Sequence, residues 1–484
     1  MFTPWSVLKR CLTSLFFFFA AVLYLAAQEL PAGKAIGNAT KPYTVVYKLK
    51  APQGSQLRMA SGNTALLQAA MQYVGAKSVQ QKFPGKAPSA NSRKSTADLS
   101  LIYELSYSPS QSFEEVRRTL MATGMVAYVE PLYQRVPLYQ PNDPSSDSTK
   151  TTQSYLKLIK AYGAWAVQKG DTNIIVGILD TGFRLTHEDI KNKIKINYDD
   201  PIDGIDNDGD GLVDNYYGWD FADRDNDTND DSPWKGHGIA VAGAAAGDSD
   251  NGIGMASVGF KTKFIPIKVF PSTPVGSFAG YEAIVYAADK GCSIINLSWG
   301  GEGASQYEQD IINYAVFERD VVIVASGGNT NAMVNIYPAA YDNVLSVGGI
   351  TNDVKTKNHT WNYKIDITAP SANVYSTSMT RDNSYGVNTG TSFASPMVAG
   401  AAALLRSHLP HLNAMQVMER LRATSDDIYH LESNALYFEK LGKGRLNVKR
   451  ALTDKQAKSV RCTSFEIANN KIAQVGDTLL IHIN

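Results

Sequence analysis

Cysteine is scarce in this chain, with three residues in 484. Cys11 lies within the first 27 residues, which leaves Cys292 and Cys462 beyond them. Two thiols build no disulfide framework, and Cys292, in the stretch Gly-Cys-Ser-Ile-Ile-Asn-Leu, reads as a packed thiol. Charge imbalance is missing too: 46 basic and 46 acidic residues leave a formal net charge of zero. Composition therefore offers no argument for a nucleic-acid partner or an anionic membrane surface. Long apolar runs are equally rare. The run from Leu15 to Ala27 follows Lys9 and Arg10 and closes on Ala26-Ala27. That is the layout of a secretory signal peptide over 1–27, which implies export to the medium or cell surface and no stable membrane span after cleavage.

What is present centres on Asn388 to Met397, read NTGTSFASPM. Ser392 stands at the head of a small, apolar run through Leu405 that predicts a tightly packed buried helix. Free N–H groups at such a helix start favour negative charge developing nearby. A serine by itself is a poor nucleophile and needs a base oriented by a third group. Ile174 to Gly182 (IIVGILDTG) predicts a buried parallel strand ending at Asp180, and Gly236 to Gly243 (GHGIAVAG) opens a helix at His237. Val321 to Asn329 (VVIVASGGN) predicts another buried strand that leads through glycines to Asn329, a residue able to donate to an oxyanion.

These four motifs, in the order Asp, His, Asn, Ser, resemble the subtilisin-like serine proteases. The resemblance spans roughly 150–452. It implies an α/β fold, a parallel sheet with helices on both faces, within a catalytic domain over 155–454. It also implies a serine endopeptidase that acts on polypeptides through an acyl-enzyme, with no catalytic cofactor. In that scheme Ser392 attacks, His237 moves the proton, Asp180 holds the imidazole, and Asn329 with the Ser392 N–H receives the oxyanion. Ser298, Trp299 and Gly300 would pair with an extended substrate, and Ala325, Ser326 and Gly327 would line the first specificity pocket. His187, in Thr-His-Glu-Asp-Ile, is expected to hold a turn by hydrogen bonding.

The region 28–140 predicts a small α+β unit: strands at Tyr43 to Lys50, Leu99 to Tyr107 and Met125 to Glu130, with helices at Thr64 to Val74 and Ser112 to Ala122. The resemblance makes it a propeptide that inhibits the enzyme until it is removed, between about Leu132 and Ser145; an accessory domain kept in the mature protein is the alternative. Residues 87–95 are expected to form a mobile loop, and the Pro-, Ser- and Asp-rich stretch over 141–154 an exposed linker. Tyr155 to Lys169 predicts one helix. The last segment, 455–484, is expected to begin a β-rich domain cut short at Asn484.

Between Asp180 and His237 the chain is dense in aspartate. Asp206, Asp208 and Asp210 alternate, Gly211 follows, and the Leu212 carbonyl and Asp214 complete the spacing of a calcium loop without EF-hand helices. So many carboxylates repel one another unless a cation or solvent relieves them, and a structural calcium ion is expected. Three other readings compete with the protease. An aspartic protease would need a second Asp-Thr-Gly, and Asn388-Thr389-Gly390 lacks the acid. A catalytically silent subtilase-fold adhesion module would be expected to have lost a site residue. An esterase would not need the strand-like cleft at 298–300.

Overall fold

The computed structural model describes residues 40–50, 60–86, 98–133, 139–273 and 275–458. The expected signal peptide, the 87–95 loop and the strand-rich segment over 465–484 lie outside them. The chain divides into two compact units, Met1–Val136 and Pro137–Asn484.

The first unit runs β1 (Thr40–Leu49), α1 (Ala60–Tyr73), β2 (Ser78–Gln81), β3 (Ile102–Ser106), α2 (Phe113–Ala122) and β4 (Val126–Tyr133). Its four-stranded sheet has the order β2-β3-β1-β4, with all three pairings antiparallel. This is the split βαβ arrangement, in which each helix links two strands that run the same way with an antiparallel strand between them. Ser112 caps α2 by accepting from the Glu115 amide, and Val116 and Leu120, four apart on one face, are fully buried. They join Val45, Leu105 and Val126 in a core of this unit's own.

The second unit is built on a mostly parallel sheet. Its strands are β5 (Ile175–Asp180), β6 (Trp219–Asp220), β7 (Lys263–Lys268), β8 (Ile294–Leu297), β9 (Val322–Ser326), β10 (Leu345–Thr351), β11 (Val354–Lys355) and β12 (Ile367–Pro370). The order is β11-β10-β9-β8-β5-β7-β6, with β12 also on β10, and only β11 runs antiparallel. Every residue of β5 is buried, as a strand covered on both faces requires. From β5 the chain builds toward β7 on one side and later toward β8 on the other. Such a reversal opens a crevice at the carboxyl ends of the strands. Asp180 ends β5, Ser298 follows β8, and Ser326 ends β9, so the residues singled out in the sequence emerge along one edge.

Two helices of small residues fill the space beneath that edge: α5 (His237–Ala246) and, after α6 (Gly280–Asp289) and α7 (Gln306–Asn313), α8 (Thr391–His408). Sixteen of the eighteen residues of α8 are buried. The two helices meet where Gly400 faces Ala245 and Gly259; a Cβ added at Gly400 would stand 2.7 Å from the Gly259 nitrogen and 2.8 Å from the Ala245 oxygen. The alanine and glycine run thus reflects the available space rather than helix propensity.

Two expectations are corrected here. The helix expected over 155–169 is two short ones, α3 (Ser154–Leu158) and α4 (Ala161–Trp165), because Lys160 between them adopts a left-handed backbone with φ of 62°. The stretch over 141–154, expected as an exposed linker, is packed on the second unit. Asp143 accepts from the Asp250 and Asn251 amides at 2.9 and 3.1 Å, and Gln153 exchanges two hydrogen bonds with the Ala256 backbone. Burial, opposed by the two amide bonds, pushes the Asp143 carboxyl up to about 6. The polar residues that suggested solvent exposure serve instead as caps for a neighbouring loop.

The acidic insertion is tied down in a similar way. Lys268 at the end of β7 is buried, and its ammonium meets Asp220 at 2.6 Å, Asp231 at 2.9 Å and Asp223 at 3.3 Å. Carboxyl-terminal to the sheet, the Arg445 guanidinium bridges Asp353 and Asp426. Replacing Gly400 with alanine should lower the unfolding free energy by about 1–3 kcal/mol, the usual cost of overpacking. Denaturant melting would show it; an unchanged midpoint would mean that α5 and α8 separate without strain.

Candidate active site

Asp180 leaves the end of β5 with 1% exposure, and its Oδ1 accepts from His237 Nδ1 at 2.6 Å and from the Thr181 amide at 2.8 Å. His237 opens α5 and shows its ring to the cleft, 28% exposed. Burial alone would depress the imidazolium, but the Asp180 charge and hydrogen bond, helped by the Asp230 charge, outweigh it and raise the pKa above its ordinary value. With Nδ1 donating to Asp180, Nε2 is the nitrogen left to receive a proton.

Asp230 was not singled out in the sequence. It accepts from the Gly236 amide just ahead of His237 and from Thr181 Oγ1 at 3.1 Å, while Thr181 Oγ1 in turn accepts from the Gly238 amide at 3.1 Å. The start of α5 is therefore stitched to the end of β5 through Thr181. The sequence held only a faint signal for this, a hydroxyl residue directly after Asp180 and a further aspartate seven positions before His237.

Ser392 is the second residue of α8, whose cap, Gly390, offers no side chain, so the first amides of the helix have no intrahelical acceptor. In this structure its hydroxyl donates to the Ser298 carbonyl at 3.2 Å. The ring of Phe393 lies 5.4 Å from that of His237, which places the head of α8 beside the imidazole. Asn329 is exposed beyond the end of β9, and its carbonyl oxygen is occupied by Thr391: the Thr391 amide donates at 2.9 Å and its hydroxyl at 3.2 Å. Both acceptor directions being used on one side, the amide Nδ2 is the free, donating end. Thr391 Oγ1 also accepts from the Gly328 amide at 3.1 Å, locking the β9 loop to the helix head.

Ser298, Trp299 and Gly300 follow β8 on the same edge. The Trp299 indole donates to the Leu179 carbonyl at 2.9 Å and forms one wall of a pocket of about 300 Å³ with Phe270, Phe278, Tyr281 and Tyr337. Ala325, Ser326 and Gly327 are buried at the end of β9, where the Gly327 amide donates to the Val347 carbonyl at 2.8 Å. His187 holds its turn: Nδ1 accepts from the Asp189 amide at 3.1 Å, and Nε2 donates to the Ser384 carbonyl at 2.8 Å.

In the acidic loop, Asp206, Asp208 and Asp210 each bring one carboxylate oxygen within 4.8 Å of the others. Lys290 also reaches this cluster, 2.5 Å from Asp208 and 2.8 Å from Asp210. Asp214 is turned elsewhere, accepting from the Asp203 and Gly204 amides at 2.9 Å. Leu212 lies between, its side chain packed on the core's edge. The three alternating aspartates fit a shared cation; the carboxylate of Asp214 does not join them.

A buried carboxylate on a histidine, a serine at a helix start and an amide on a facing loop thus stand at one edge of the sheet. The sequence profile of the subtilase family matches residues 171–453, and the chain belongs to that family. It is a subtilisin-like serine endopeptidase. It is 30% identical over 347 residues to the thermophilic serine proteinase of Bacillus sp. (strain AK1), covering 70% of this chain and 76% of that one. Thermitase of Thermoactinomyces vulgaris is 31% identical over 316 residues, 65% of this chain and 99% of its own. A protease from Pseudoalteromonas arctica superposes with a TM-score of 0.52 at 26% identity, covering 65% of this chain and 99% of that structure. Among the described residues no helix is long and apolar enough to cross a membrane.

The Asp180–His237 pair carries a pH signature. Since folding raises the imidazole pKa, the pair's full contribution to stability is present below the unfolded value of 6.5 and is lost as pH climbs through the folded value. An NMR titration should place His237 above 6.5 in the wild type and lower in Asp180→Asn; equal values in the two proteins would show that Asp180 does not set it.

Proposed function

We propose that this enzyme cleaves polypeptides with Ser392 as nucleophile, His237 as general base and then acid, and Asp180 as the group that orients the imidazole and stabilises its charged form. The observation that carries the reading is the 2.6 Å bond from His237 to buried Asp180 beside the head of α8. As substrate enters, the Ser392 hydroxyl turns from the Ser298 carbonyl toward His237 Nε2, passes its proton there and attacks the peptide carbonyl. The oxyanion forms between the Ser392 amide and Asn329 Nδ2, two donors fixed before the reaction begins. His237 then protonates the leaving amine, and water releases the acyl group by the same route in reverse. The backbone over 298–300 receives an extended substrate as an added strand, with Ala325, Ser326 and Gly327 beside the first side chain.

The N-terminal unit, with a core of its own, supports a reading as a propeptide that restrains the enzyme until cleaved, in a protein exported by its leader and secreted or held at the cell surface. Asp206, Asp208 and Asp210 would hold a structural calcium ion that displaces Lys290. Its role is stability alone, since an ion that binds only the folded state stabilises it by mass action.

Purified wild type and Ser392→Ala, compared by casein digestion and intact mass, test the assignment. The variant should lose at least about a thousandfold in activity and keep its N-terminal segment. If the variant matures and digests like wild type, Ser392 is not the nucleophile; if wild type is also inert, a binding role gains ground. Calcium at about 100 times its Kd should add about 2.7 kcal/mol to stability. That gain should vanish in Asp206→Asn/Asp208→Asn and persist in Lys290→Ala, read by melting in calcium and in chelator.

A further inference from the structure

Pro396 sits inside α8, four residues after Ser392. In a helix the amide at that position would donate to the Ser392 carbonyl, but proline has none and its ring crowds that oxygen. The carbonyl of the proposed nucleophile is therefore denied its helical partner in a buried setting, where an unmatched acceptor is costly. The Ser298 hydroxyl supplies the missing bond, donating to the Ser392 carbonyl at 2.8 Å. Ser298 is itself 4% exposed and accepts from Asn296 Nδ2 at 2.9 Å. The oxygen of the Asn296 amide is taken by the hydroxyl of Ser395, so the chain of bonds begins and ends in the first turns of α8. Asn296 and Ser395 are fully buried. Each member of this chain has its donor or acceptor matched, which makes it rigid.

We propose that the Ser298 hydroxyl, held by Asn296 and Ser395, is a positioning residue that takes the Ser392 carbonyl left free by Pro396 and thereby fixes the turn carrying the Ser392 hydroxyl. This rests on Ser392 being the nucleophile. Ser298 then has two separate roles: its backbone carbonyl faces the cleft, and its side chain faces the helix. Without the side-chain bond the first turn of α8 can shift by a fraction of an ångström, enough to misplace a reacting oxygen.

The test is a double-mutant cycle on the full chain with a chromogenic peptide substrate, with kcat expressed per site titrated by a fluorophosphonate. Ser298→Ala should lower kcat about tenfold, the scale of one lost hydrogen bond to a reacting group, with KM within about twofold. Pro396→Ala restores an amide opposite the Ser392 carbonyl. In that background the loss on removing the Ser298 hydroxyl should shrink to less than about threefold, the mark of coupled residues. Ser395→Ala, which loosens only the far end of the chain, should lower kcat in the same direction and serves if Ser298→Ala does not fold. An unchanged kcat in Ser298→Ala, or an equal loss with and without the Pro396→Ala change, overturns the proposal. A merely structural serine would lower the melting temperature and the titratable fraction while leaving kcat per site and the cycle additive. Ser392→Ala run alongside separates the two failures: if it stays active, the nucleophile is wrong; if it is inert while Ser298→Ala is unimpaired, only the positioning role falls.

Discussion

Burial of nearly all of one helix governs this structure. α8 lies against the sheet on one side and α5 on the other, and only small side chains let it do so. A helix confined in this way is held along its length, and hydrogen bonds at its head hold the first turn. The three other site elements are anchored to it or to each other by side-chain bonds: Thr391 to Asn329, Ser298 to the Ser392 carbonyl, and Thr181 to the head of α5. The loops proposed to carry the chemistry are tied by these bonds to packed elements.

The residues proposed to react were singled out in the sequence because each needs a special backbone setting that leaves a composition mark. Asp180 needs the end of a strand buried on both faces, which shows as an unbroken apolar run. His237 and Ser392 need helix starts that approach other backbone closely, which shows as glycine and alanine around a lone polar residue. The bonds that hold those residues left no such mark. Nothing in a chain read end to end says that Asn296 and Ser395, about a hundred positions apart, share a hydrogen bond, or that Pro396 frees a carbonyl for Ser298.

The misreadings have physical causes as well. Residues 141–154 have the composition of a solvated connector, yet aspartate and glutamine are also the residues that satisfy bare backbone amides in a buried loop, as Asp143 and Gln153 do. Helical spacing over 155–169 was real, but periodicity does not register one residue switching hand at Lys160. In the acidic loop the spacing singled out three aspartates that do converge; Asp214 follows the same rhythm, but its carboxylate is taken up by two amides.

Lys268 and Asp180 are register partners on adjacent parallel strands. Left to themselves, a lysine and an aspartate so placed would neutralise one another. Here Lys268 is claimed by Asp220, Asp223 and Asp231, and the Asp180 carboxylate keeps His237 as its hydrogen-bond partner. The acidic insertion thus absorbs a strong cation one strand away from Asp180, whose own partner is the weaker base beside it.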